Sequence, residues 1–339
     1  MKKTIIFRVD CGKVWGISMG HILRAFTLAR ELKKKYNIVF VSKNYPDAIS
    51  FIKTHYKNVI AIPQEDDSDK TLIKISNQFK PKIVIFDLNK TPYMEFFDYS
   101  QKAKIKTVVF DIDGKINGDP DIIINDWDIN KTINYYKQRE NTKILRGTKY
   151  FILADKIRRK PLKQKVKNIL ITMGGSDPSG LTIKIVSSLA KYLKDYKVSV
   201  VLGPLFKNRN NVINAVKNYD FMEILNSPNN FLKTINKYDI IICAGGRTLL
   251  ECAYLGKPVI AVASIDHEKI VIDEITKITN SINVGKWHSG KSTQIILKGI
   301  DDFACNKSYR DEIYKNSKKL IDGKAIDRMI RIINKSSFN

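Results

Sequence analysis

Short apolar runs alternate with amphipathic segments along most of the chain. Segments with a helical period, such as Gly20–Lys35 and Thr71–Gln78, separate runs that are too short for buried helices. This alternation is typical of an α/β fold with parallel sheets. In the first half, the runs predict strands at Ile5–Val9, Ile38–Val41, Val59–Ile62, Ile83–Phe86, Thr107–Phe110 and Ile122–Ile124.

The alternation weakens between residues 130 and 167 and then resumes. The weak stretch is rich in Lys, Arg and Asn around one apolar island, Tyr150–Leu153, and the chain from Ser289 onwards has a helical pattern. We predict two doubly wound domains, residues 1–150 and 151–320, and a C-terminal helix within 321–339 that packs back towards the first domain. The second series of strands is predicted at Ile169–Met173, Lys197–Leu202, Phe221–Leu225, Ile240–Cys243, Val259–Val262 and Ile282–Val284.

The number and distribution of charged residues limit the classes of molecule that we expect the protein to bind. The chain has 339 residues and a formal net charge of +25, but its basic residues are dispersed. We interpret them as lysine-rich solvated faces and predict no nucleic-acid partner, because no basic helix or aromatic RNA-binding motif is present. The densest basic group falls where an interdomain linker is expected and comprises Arg158, Arg159, Lys160, Lys163, Lys165 and Lys167.

Cysteine usage and hydropathy add a prediction about compartment. The four cysteines lack the pair spacing of a disulfide framework or a zinc site. No apolar run approaches the ~18 residues of a membrane span, and the N-terminus enters a strand directly. We therefore predict a cytoplasmic protein without stable membrane insertion.

The end of the first predicted strand carries reactive residue types. Arg8 and Asp10 lie at the strand end, and Gly20 and His21 begin the next helix, one turn before Arg24. Glycine lets a ligand approach the backbone, and the unpaired N–H groups of a helix start favour an anion. A histidine here can move a proton near neutral pH, whereas an isolated Gly-His pair is also typical of simple capping or packing.

Two glycine-rich loops follow predicted strands of the second half. Their exposed N–H groups suit a diphosphate, and the carboxylate of Glu251 can accept hydrogen bonds from two neighbouring ribose hydroxyls. Tight turn geometry is the competing explanation for each loop alone. Neither loop matches Gly-x-Gly-x-x-Gly or the Walker sequence, which disfavours a dinucleotide oxidoreductase and a P-loop ATPase. The loops contain Gly174, Gly175, Ser176 and Asp177, and Gly245, Gly246, Arg247 and Thr248.

Four motifs in order resemble a known family. They are Arg-x-Asp…Gly-His-Ile-x-Arg (8–24), Gly-Gly-Ser-Asp-Pro (174–178), Ala-Gly-Gly-Arg-Thr-Leu-x-Glu (244–251) and Asp-Gly-Lys-Ala-Ile-Asp-Arg (322–328). The chain resembles the nucleotide-sugar hydrolases of pseudaminic acid biosynthesis (PseG) and their spore-coat relatives (SpsG), which are similar to MurG-type glycosyltransferases. The resemblance implies a GT-B-like fold, in which two Rossmann-like domains face a cleft. It also implies hydrolysis of UDP-2,4-diacetamido-2,4,6-trideoxy-β-L-altropyranose, with inversion and release of UDP, by a monomer that uses no metal or organic cofactor.

The resemblance further implies roles for individual residues. His21 activates the attacking water, Asp10 orients His21 or binds sugar hydroxyls, and Gly20 and Arg24 belong to the same substrate-binding motif. His267 follows a strand end, from which it can touch the donor. The base contacts the backbone near Ile224 and Leu225. The diphosphate and ribose lie against Gly174, Gly175, Ser176, Asp177, Gly245, Gly246, Arg247, Thr248 and Glu251.

Some positions depart from the family pattern. Ser18 replaces a glycine, Ala154 replaces an arginine, and Asn89 lies in a segment that lacks the usual aromatic residue. Where transferase relatives use glutamines for the donor sugar, this chain has Val271 and Ile272. These departures leave open the identity of the sugar and the choice between hydrolysis and transfer.

Three alternatives therefore remain. A GT-B glycosyltransferase would activate an acceptor hydroxyl instead of water. A metal-dependent phosphatase would use the paired aspartates Asp111 and Asp113. A GT-A transferase would bind its metal through the same pair or through Asp126 and Asp128. A non-catalytic protein would bind the nucleotide sugar without turning it over.

Overall fold

The computed structural model describes residues 2–12, 19–111, 116–127, 141–177, 179–206 and 208–335, except for the side chains of His267 and Lys335. These residues form two compact units. Unit 1 comprises Met1–Ala154 and Gly323–Asn339, and unit 2 comprises Asp155–Asp322.

Unit 1 is an α/β domain. Its strands are β1 (Thr4–Val9), β2 (Asn37–Lys43), β3 (Val59–Ile62), β4 (Pro81–Asp87), β5 (Lys106–Phe110), β6 (Ile122–Asn125) and β7 (Lys143–Arg146). Its helices are α1 (Met19–Leu32), α2 (Pro46–Lys53), α3 (Asp69–Phe79), α4 (Met94–Lys102) and α12 (Ala325–Lys335). The strands pair in parallel in the order β3-β2-β1-β4-β5-β6-β7. All six residues of β1 are buried, as expected for a central strand covered on both faces.

Unit 2 repeats this architecture. Its strands are β8 (Asn168–Thr172), β9 (Lys197–Leu202), β10 (Met222–Asn226), β11 (Ile240–Ala244), β12 (Val259–Ala263) and β13 (Ile282–Lys286). Its helices are α5 (Leu181–Leu189), α6 (Arg209–Val216), α7 (Phe231–Ile235), α8 (Arg247–Leu255), α9 (Asp266–Thr279), α10 (Ser289–Cys305) and α11 (Lys307–Ser317). The strands pair in parallel in the order β10-β9-β8-β11-β12-β13. The core packs Ile171, Val200, Ile242 and Ile260 with Phe303 of α10.

The predicted fold of two Rossmann-like parallel sheets is confirmed, and every predicted strand is present. Strand β7 was not predicted because its pattern is weak. It lies at the edge of the sheet beside β6, and Leu145 is its single buried residue. An edge strand with one buried side chain gives little hydrophobic signal.

The basic group at 158–167 is packed on unit 2, contrary to the expectation of a free linker. The Arg159 guanidinium lies 5.5 Å from the ring centroid of Tyr254, and the carboxylate of Asp239 accepts hydrogen bonds from the backbone of Lys167 and Asn168. Interactions with the domain surface therefore hold this segment.

Helix α12 packs on unit 1, although it follows unit 2 in the chain. The Tyr36 hydroxyl donates to Asn334 at 3.1 Å, and Arg328 donates to the carbonyl oxygen of Lys149 at 2.8 Å. The buried ammonium of Lys106 donates to the carbonyl oxygen of Ile332 at 3.3 Å. Within the part of the chain that is described, no helix is both long and apolar enough to cross a lipid bilayer.

Each sheet has one point at which the strand order reverses. In unit 1 this point lies between β1 and β4, and in unit 2 it lies between β8 and β11. Ligands of open α/β sheets bind outside the carboxyl ends of the strands at such a point. The segments that follow these four strands are therefore the first places to look for a site.

Candidate functional site

A cluster of charged side chains lies at the carboxyl ends of neighbouring strands in unit 1. His21 is on α1, which follows β1, while Asp87 ends β4 and Asp126 follows β6. Arg24 lies one helical turn after His21. All four side chains are buried, with Asp87 and Asp126 almost completely so. The sheet thus brings residues from distant parts of the chain to one edge.

Both ring nitrogens of His21 are hydrogen-bonded. Nδ1 lies 2.6 Å from Oδ1 of Asp87, and Nε2 lies 2.7 Å from Oδ1 of Asn89. A carboxylate only accepts, so Nδ1 carries a proton. Two protonation states fit the second contact: an imidazolium that donates to the Asn89 oxygen, or a neutral ring that accepts from the Asn89 amide with its oxygen and nitrogen exchanged. The Nδ1 side is buried, whereas Asn89 is exposed.

Arg24 holds the two carboxylates of the cluster together. It donates to Asp87 from Nε and from one terminal nitrogen, both at 2.7 Å, and to Asp126 from the other at 2.9 and 3.0 Å. Its guanidinium also lies 4.2 Å from the ring centroid of Phe110, at the end of β5. Burial raises the pKa of Asp87, but Arg24 and His21 outweigh it and hold that pKa below its usual range. Asp87 is therefore ionised at neutral pH.

This arrangement changes the expectation for Arg24. The sequence motif predicts that Arg24 contacts the substrate, but its guanidinium is buried and already forms ion pairs with two carboxylates. Its position supports a structural task, which is to hold Asp87 in the orientation that Nδ1 of His21 requires. Gly20, which the motif also predicts to bind substrate, is half-buried at the start of α1.

Asp10 belongs to a different cluster. It accepts hydrogen bonds from the Arg8 guanidinium at 2.6 Å and from the backbone N–H of Lys43 at 2.8 Å. Arg8 is fully buried and donates to the Tyr93 hydroxyl at 2.7 Å. The expectation that Asp10 orients His21 is therefore corrected: Asp87 takes that place, because β4 rather than β2 ends beside the ring.

The first glycine loop of unit 2 is fixed by backbone packing. Gly174 has φ of +84°, which favours glycine, and open space surrounds the position of a Cβ. A Cβ on Gly203, which follows β9, would lie 2.4 Å from the backbone of Gly175. The two loops therefore touch through glycine backbones. Ser176 is half-buried in the same turn.

Asp177 has a local partner that the sequence did not indicate. Its carboxylate accepts hydrogen bonds from the backbone N–H groups of Leu181 and Thr182 at 2.9 and 2.8 Å. Asp177 is buried and satisfies the first two N–H groups of α5, whose N-cap residue is Gly180. A carboxylate in this position takes the N–H groups that an anionic ligand would use, so the prediction that Asp177 lines a phosphate site is not supported by its contacts.

The second glycine loop packs closely against helix α9. A Cβ on Gly245 would lie 2.7 Å from the Ile272 side chain and 2.8 Å from Glu268, whereas one on Gly246 would meet Glu268 only at 3.5 Å. Glu268 itself accepts a hydrogen bond from the backbone of Ser264 at 2.8 Å. Contact with α9 therefore explains the glycine at 245, and only Gly246 leaves room for a ligand.

Two carboxyl groups beside this loop have altered acidity. Burial raises the pKa of Glu268 to about 7, although hydrogen bonds from the backbone of Ser264, Ile265 and Gly245 oppose the shift. Burial also raises the pKa of Glu251 to about 7, against the opposing charge of Arg247. Both groups are therefore partly protonated at neutral pH, which lessens negative charge near a prospective anion site.

The other predicted binding residues occupy varied positions. Ile224 and Leu225 are half-buried on β10, whose outer edge has no paired strand in the described sheet. Thr248 is buried in the first turn of α8, next to half-buried Arg247. His267 lies in the first turn of α9, but its side chain is outside the described residues.

The aspartate pairs of the metal-dependent alternatives are only partly described. Asp113 and Asp128 lie outside the described residues, whereas the Asp126 carboxylate is bound to Arg24. Ser18, which departs from the family motif, also lies outside them. In the described ranges, no group of three or more His, Cys, Asp or Glu side chains could hold a metal ion.

Sequence reasoning missed Asp87, Asn89 and Glu268 as members of these sites, and it considered Asp126 only as a metal ligand. Asp87 and Asp126 directly end or follow apolar runs, which is a usable signal, because parallel strands place their carboxyl ends at one edge. Asn89 and Glu268 have no comparable signal, since their positions depend on loop and helix packing.

The comparisons with known proteins agree with this architecture. Residues 168–269 match the model of the glycosyltransferase family 28 C-terminal domain. The chain is 30% identical over 291 residues to an uncharacterized protein of Methanocaldococcus jannaschii; the match covers 81% of this chain and 59% of that protein. It is 25% identical over 324 residues to the spore coat polysaccharide biosynthesis protein SpsG of Bacillus subtilis, and this match covers 93% and 94% of the two chains.

Solved structures show the same fold at low sequence identity. MurG of Acinetobacter baumannii has a TM-score of 0.68 at 12% identity, with 98% of this chain and 99% of that chain covered. A UDP-GlcNAc 2-epimerase of Neisseria meningitidis bound to UDP-GlcNAc has a TM-score of 0.63 at 13% identity, with 98% and 100% covered. The chain is thus an SpsG-type homologue with the GT-B-like fold of two Rossmann-like domains, and its second domain contains a segment similar to the C-terminal domain of glycosyltransferase family 28.

Proposed function

We propose that the protein hydrolyses a UDP-linked sugar at the anomeric C–O bond and releases UDP. The observation that carries the proposal is the hydrogen bond of 2.6 Å between Nδ1 of His21 and the ionised carboxylate of Asp87. A histidine oriented in this way by a buried carboxylate is suited to accept a proton at its other nitrogen. The similarity to a polysaccharide biosynthesis protein favours a sugar substrate.

In the proposed reaction, His21 acts as the general base. A water takes over the hydrogen bond that Asn89 makes to Nε2 in the free protein. As the water oxygen bonds to the anomeric carbon, its proton passes to Nε2, and Asp87 stabilises the imidazolium that forms. The bond from the anomeric carbon to the diphosphate oxygen breaks, and its electron pair leaves with UDP. Attack opposite to the leaving group inverts the anomeric centre.

Unit 2 would supply the nucleotide-binding groups. Because Glu268 occupies the Gly245 amide, the diphosphate would use the α8 start at Gly246 and the side chains of Arg247 and Thr248. Such donors stabilise the charge that develops on the leaving diphosphate. Glu251, one turn along α8, would accept from the ribose hydroxyls, and the open edge of β10 at Ile224 and Leu225 would meet the base.

The substrate we propose is a UDP-linked diacetamido-trideoxy sugar used in nonulosonic acid or surface polysaccharide biosynthesis. This choice rests on the similarity to SpsG and on the motifs shared with the hydrolase family. The second candidate is a glycosyltransferase, favoured by the match of residues 168–269 to the family 28 domain. In that case His21 would take the proton of an acceptor hydroxyl.

One experiment separates these candidates. The purified protein is incubated with a panel of UDP-sugars in water enriched in oxygen-18, without acceptor, and followed by phosphorus and proton NMR. Hydrolysis at carbon predicts UDP release with the label on the sugar and an inverted anomeric proton. Label on the phosphate would instead indicate P–O cleavage and overturn the mechanism. Release only after an acceptor is added would support the transferase, and loss of activity in EDTA would revive the metal alternatives.

A further inference from the structure

A polar cavity lies at the amino ends of strands in unit 2, whereas the glycine loops lie at the carboxyl ends of the strands. It has a volume of about 170 Å³. Asp239, in its wall, directly precedes β11, and Lys257 lies two residues before β12, so the cavity is at the amino ends of these strands. A five-residue strand is about 16 Å long, which separates this cavity from the glycine loops. We call it the basic cavity; its charged lining residues are Lys160, Lys163, Lys237, Asp239, Lys257 and Arg310.

Two of these cationic side chains are buried, and their hydrogen-bond partners are uncharged carbonyl groups. The ammonium of Lys257 is 4% exposed and donates to the carbonyl oxygens of Asn236 at 3.1 Å and Tyr238 at 2.9 Å. Arg310 is 2% exposed and donates to the carbonyl oxygens of Lys163 at 3.0 Å and of Gln164, Phe303 and Ala304. Carbonyl groups solvate these charges but do not neutralise them.

Asp239, the one carboxylate among the described lining residues, already has an ion pair and backbone hydrogen bonds. Oδ1 of Asp239 pairs with the Lys163 ammonium at 3.1 Å, and Oδ2 accepts from the backbone N–H groups of Lys167 and Asn168 at 3.0 Å each. Among the described lining residues, five are cationic and only Asp239 is acidic. Buried charges in proteins are normally paired, because an uncompensated ion loses most of its hydration energy. Burial and the nearby charges of Lys163 and Lys160 lower the pKa of Lys257 to about 8, against the opposing effect of Asp239.

An unsatisfied acceptor lies in the same wall. Asn236 is buried, and its side-chain nitrogen donates to the carbonyl oxygen of Arg158 at 2.9 Å. Among the described residues, its side-chain oxygen has no hydrogen-bond donor. A ligand that fits this wall carries negative charge for the cations and one hydroxyl for Asn236. Hydrogen phosphate has both.

We propose that the basic cavity binds a small multivalent oxyanion of the phosphate class. A water molecule occupies about 30 Å³ in the liquid, so the cavity has ample room for the five heavy atoms of phosphate. The anion adds counter-charge for Lys257 and Arg310, which the charges of Asp239 and, for Arg310, Asp311 balance only in part. It joins the segment at 160–163 to α11 and to the start of β12, and thereby stabilises unit 2 independently of nucleotide binding.

The test is thermal unfolding of the whole protein in sodium phosphate and in sodium chloride of equal ionic strength at pH 7, combined with calorimetric titration of phosphate. We expect phosphate to raise the melting temperature by about 3–6 °C at ten times its dissociation constant. The Lys160→Gln/Lys237→Gln variant, which changes two exposed side chains, is expected to weaken phosphate binding at least about tenfold. The matched control is Lys191→Gln/Lys194→Gln, which changes exposed lysines of unit 2 outside the cavity and should bind as the wild type does.

A third variant distinguishes the cavity from the glycine loops. Arg247→Gln should keep the full effect of phosphate, since Arg247 is remote from the basic cavity. Equal shifts in phosphate and chloride would overturn the proposal. So would equal binding by the two double variants, or a loss of phosphate binding confined to Arg247→Gln.

Discussion

The two units share a sheet architecture but present different chemistry at their strand ends. Unit 1 presents side chains: the His21–Asp87–Arg24–Asp126 cluster is buried, charged and fully hydrogen-bonded. Unit 2 presents backbone, in two glycine loops held by Gly203 and by helix α9. In the proposed function, unit 1 therefore moves a proton and unit 2 holds a diphosphate. If the proposal is right, one sheet architecture serves both tasks, because the residues at the carboxyl ends of the strands and in the segments that follow them differ between the units.

The largest effect is expected from His21→Ala. Loss of the general base should lower turnover of the UDP-sugar by about 10²–10⁴-fold, while UDP affinity, which belongs to unit 2, stays unchanged. Turnover is measured by UDP release and affinity by calorimetry. The control is His288→Ala, which removes an exposed histidine. Unchanged turnover in His21→Ala would remove unit 1 from the chemistry.

The next prediction compares the two acidic residues of unit 1. Asp87→Asn removes the ionised partner of His21 and leaves Arg24 short of one carboxylate. We expect a loss of about 3–5 kcal/mol in the free energy of unfolding and a drop in turnover of about 10²-fold or more. Asp10→Asn should also destabilise, through Arg8, but the folded fraction should retain turnover. Urea unfolding and turnover per folded molecule are measured together. An equal drop in turnover for both variants would contradict the assignment of Asp87.

A glycine pair tests whether unit 2 binds through backbone. Gly245→Ala should destabilise the protein by about 1–3 kcal/mol, because its Cβ would clash with Ile272 and Glu268. Gly246→Ala should cost at most about 1 kcal/mol, since its Cβ meets only Glu268 at 3.5 Å, yet it should reduce UDP affinity roughly tenfold by obstructing the loop. Gly290→Ala, where a Cβ meets open space, is the control. Wild-type UDP affinity in Gly246→Ala would exclude the loop as the diphosphate site.

The smallest effect concerns pH. Burial raises the pKa of Glu268 to about 7, whereas an unfolded glutamate titrates near 4.3. The folded protein therefore holds the proton more tightly. The stabilisation that results is complete below pH 4 and is lost as the pH rises through 7. Glu251 contributes in the same direction.

We expect the free energy of unfolding to fall between pH 5 and pH 8, and Glu268→Gln to reduce that fall by about 1–2 kcal/mol. Urea unfolding at four pH values measures both. A fall of the same size in the variant would contradict the raised pKa. If the partly neutral Glu268 also favours the diphosphate, UDP affinity should decrease over the same pH range, and it should decrease less in the variant, where only Glu251 still titrates.

Much of the fold was predictable because strand and helix patterns are local. Strands β1 and β11 are fully buried, and β8 is buried except for its first residue, so all three are recognisable as apolar runs. The positions of His21 and the glycine loops follow from where these runs end. Strand β7 escaped prediction because pairing with β6, rather than its own hydrophobicity, defines it.

The candidate site was predictable only in part. The sequence predicts His21 and offers Asp10, the nearer acid along the chain, either to orient it or to bind sugar hydroxyls. The observed partner, Asp87, is 66 residues away from His21. Similarly, Gly245 fits a ligand-binding loop by sequence, but its contacts show that helix α9 requires it.

The sequence by itself determined the order of strands and helices and the segments in which reactive residues follow a strand. It did so because hydrophobic periodicity and glycine conformations act over a few residues. The tertiary structure alone decided which acid meets His21, because β1 is flanked by β2 on one side and β4 on the other. Asp10 accepts a hydrogen bond from the backbone of Lys43 at the end of β2, and His21 contacts Asp87 at the end of β4. Strand order in the sheet is a long-range property, and here it decides which charges are paired.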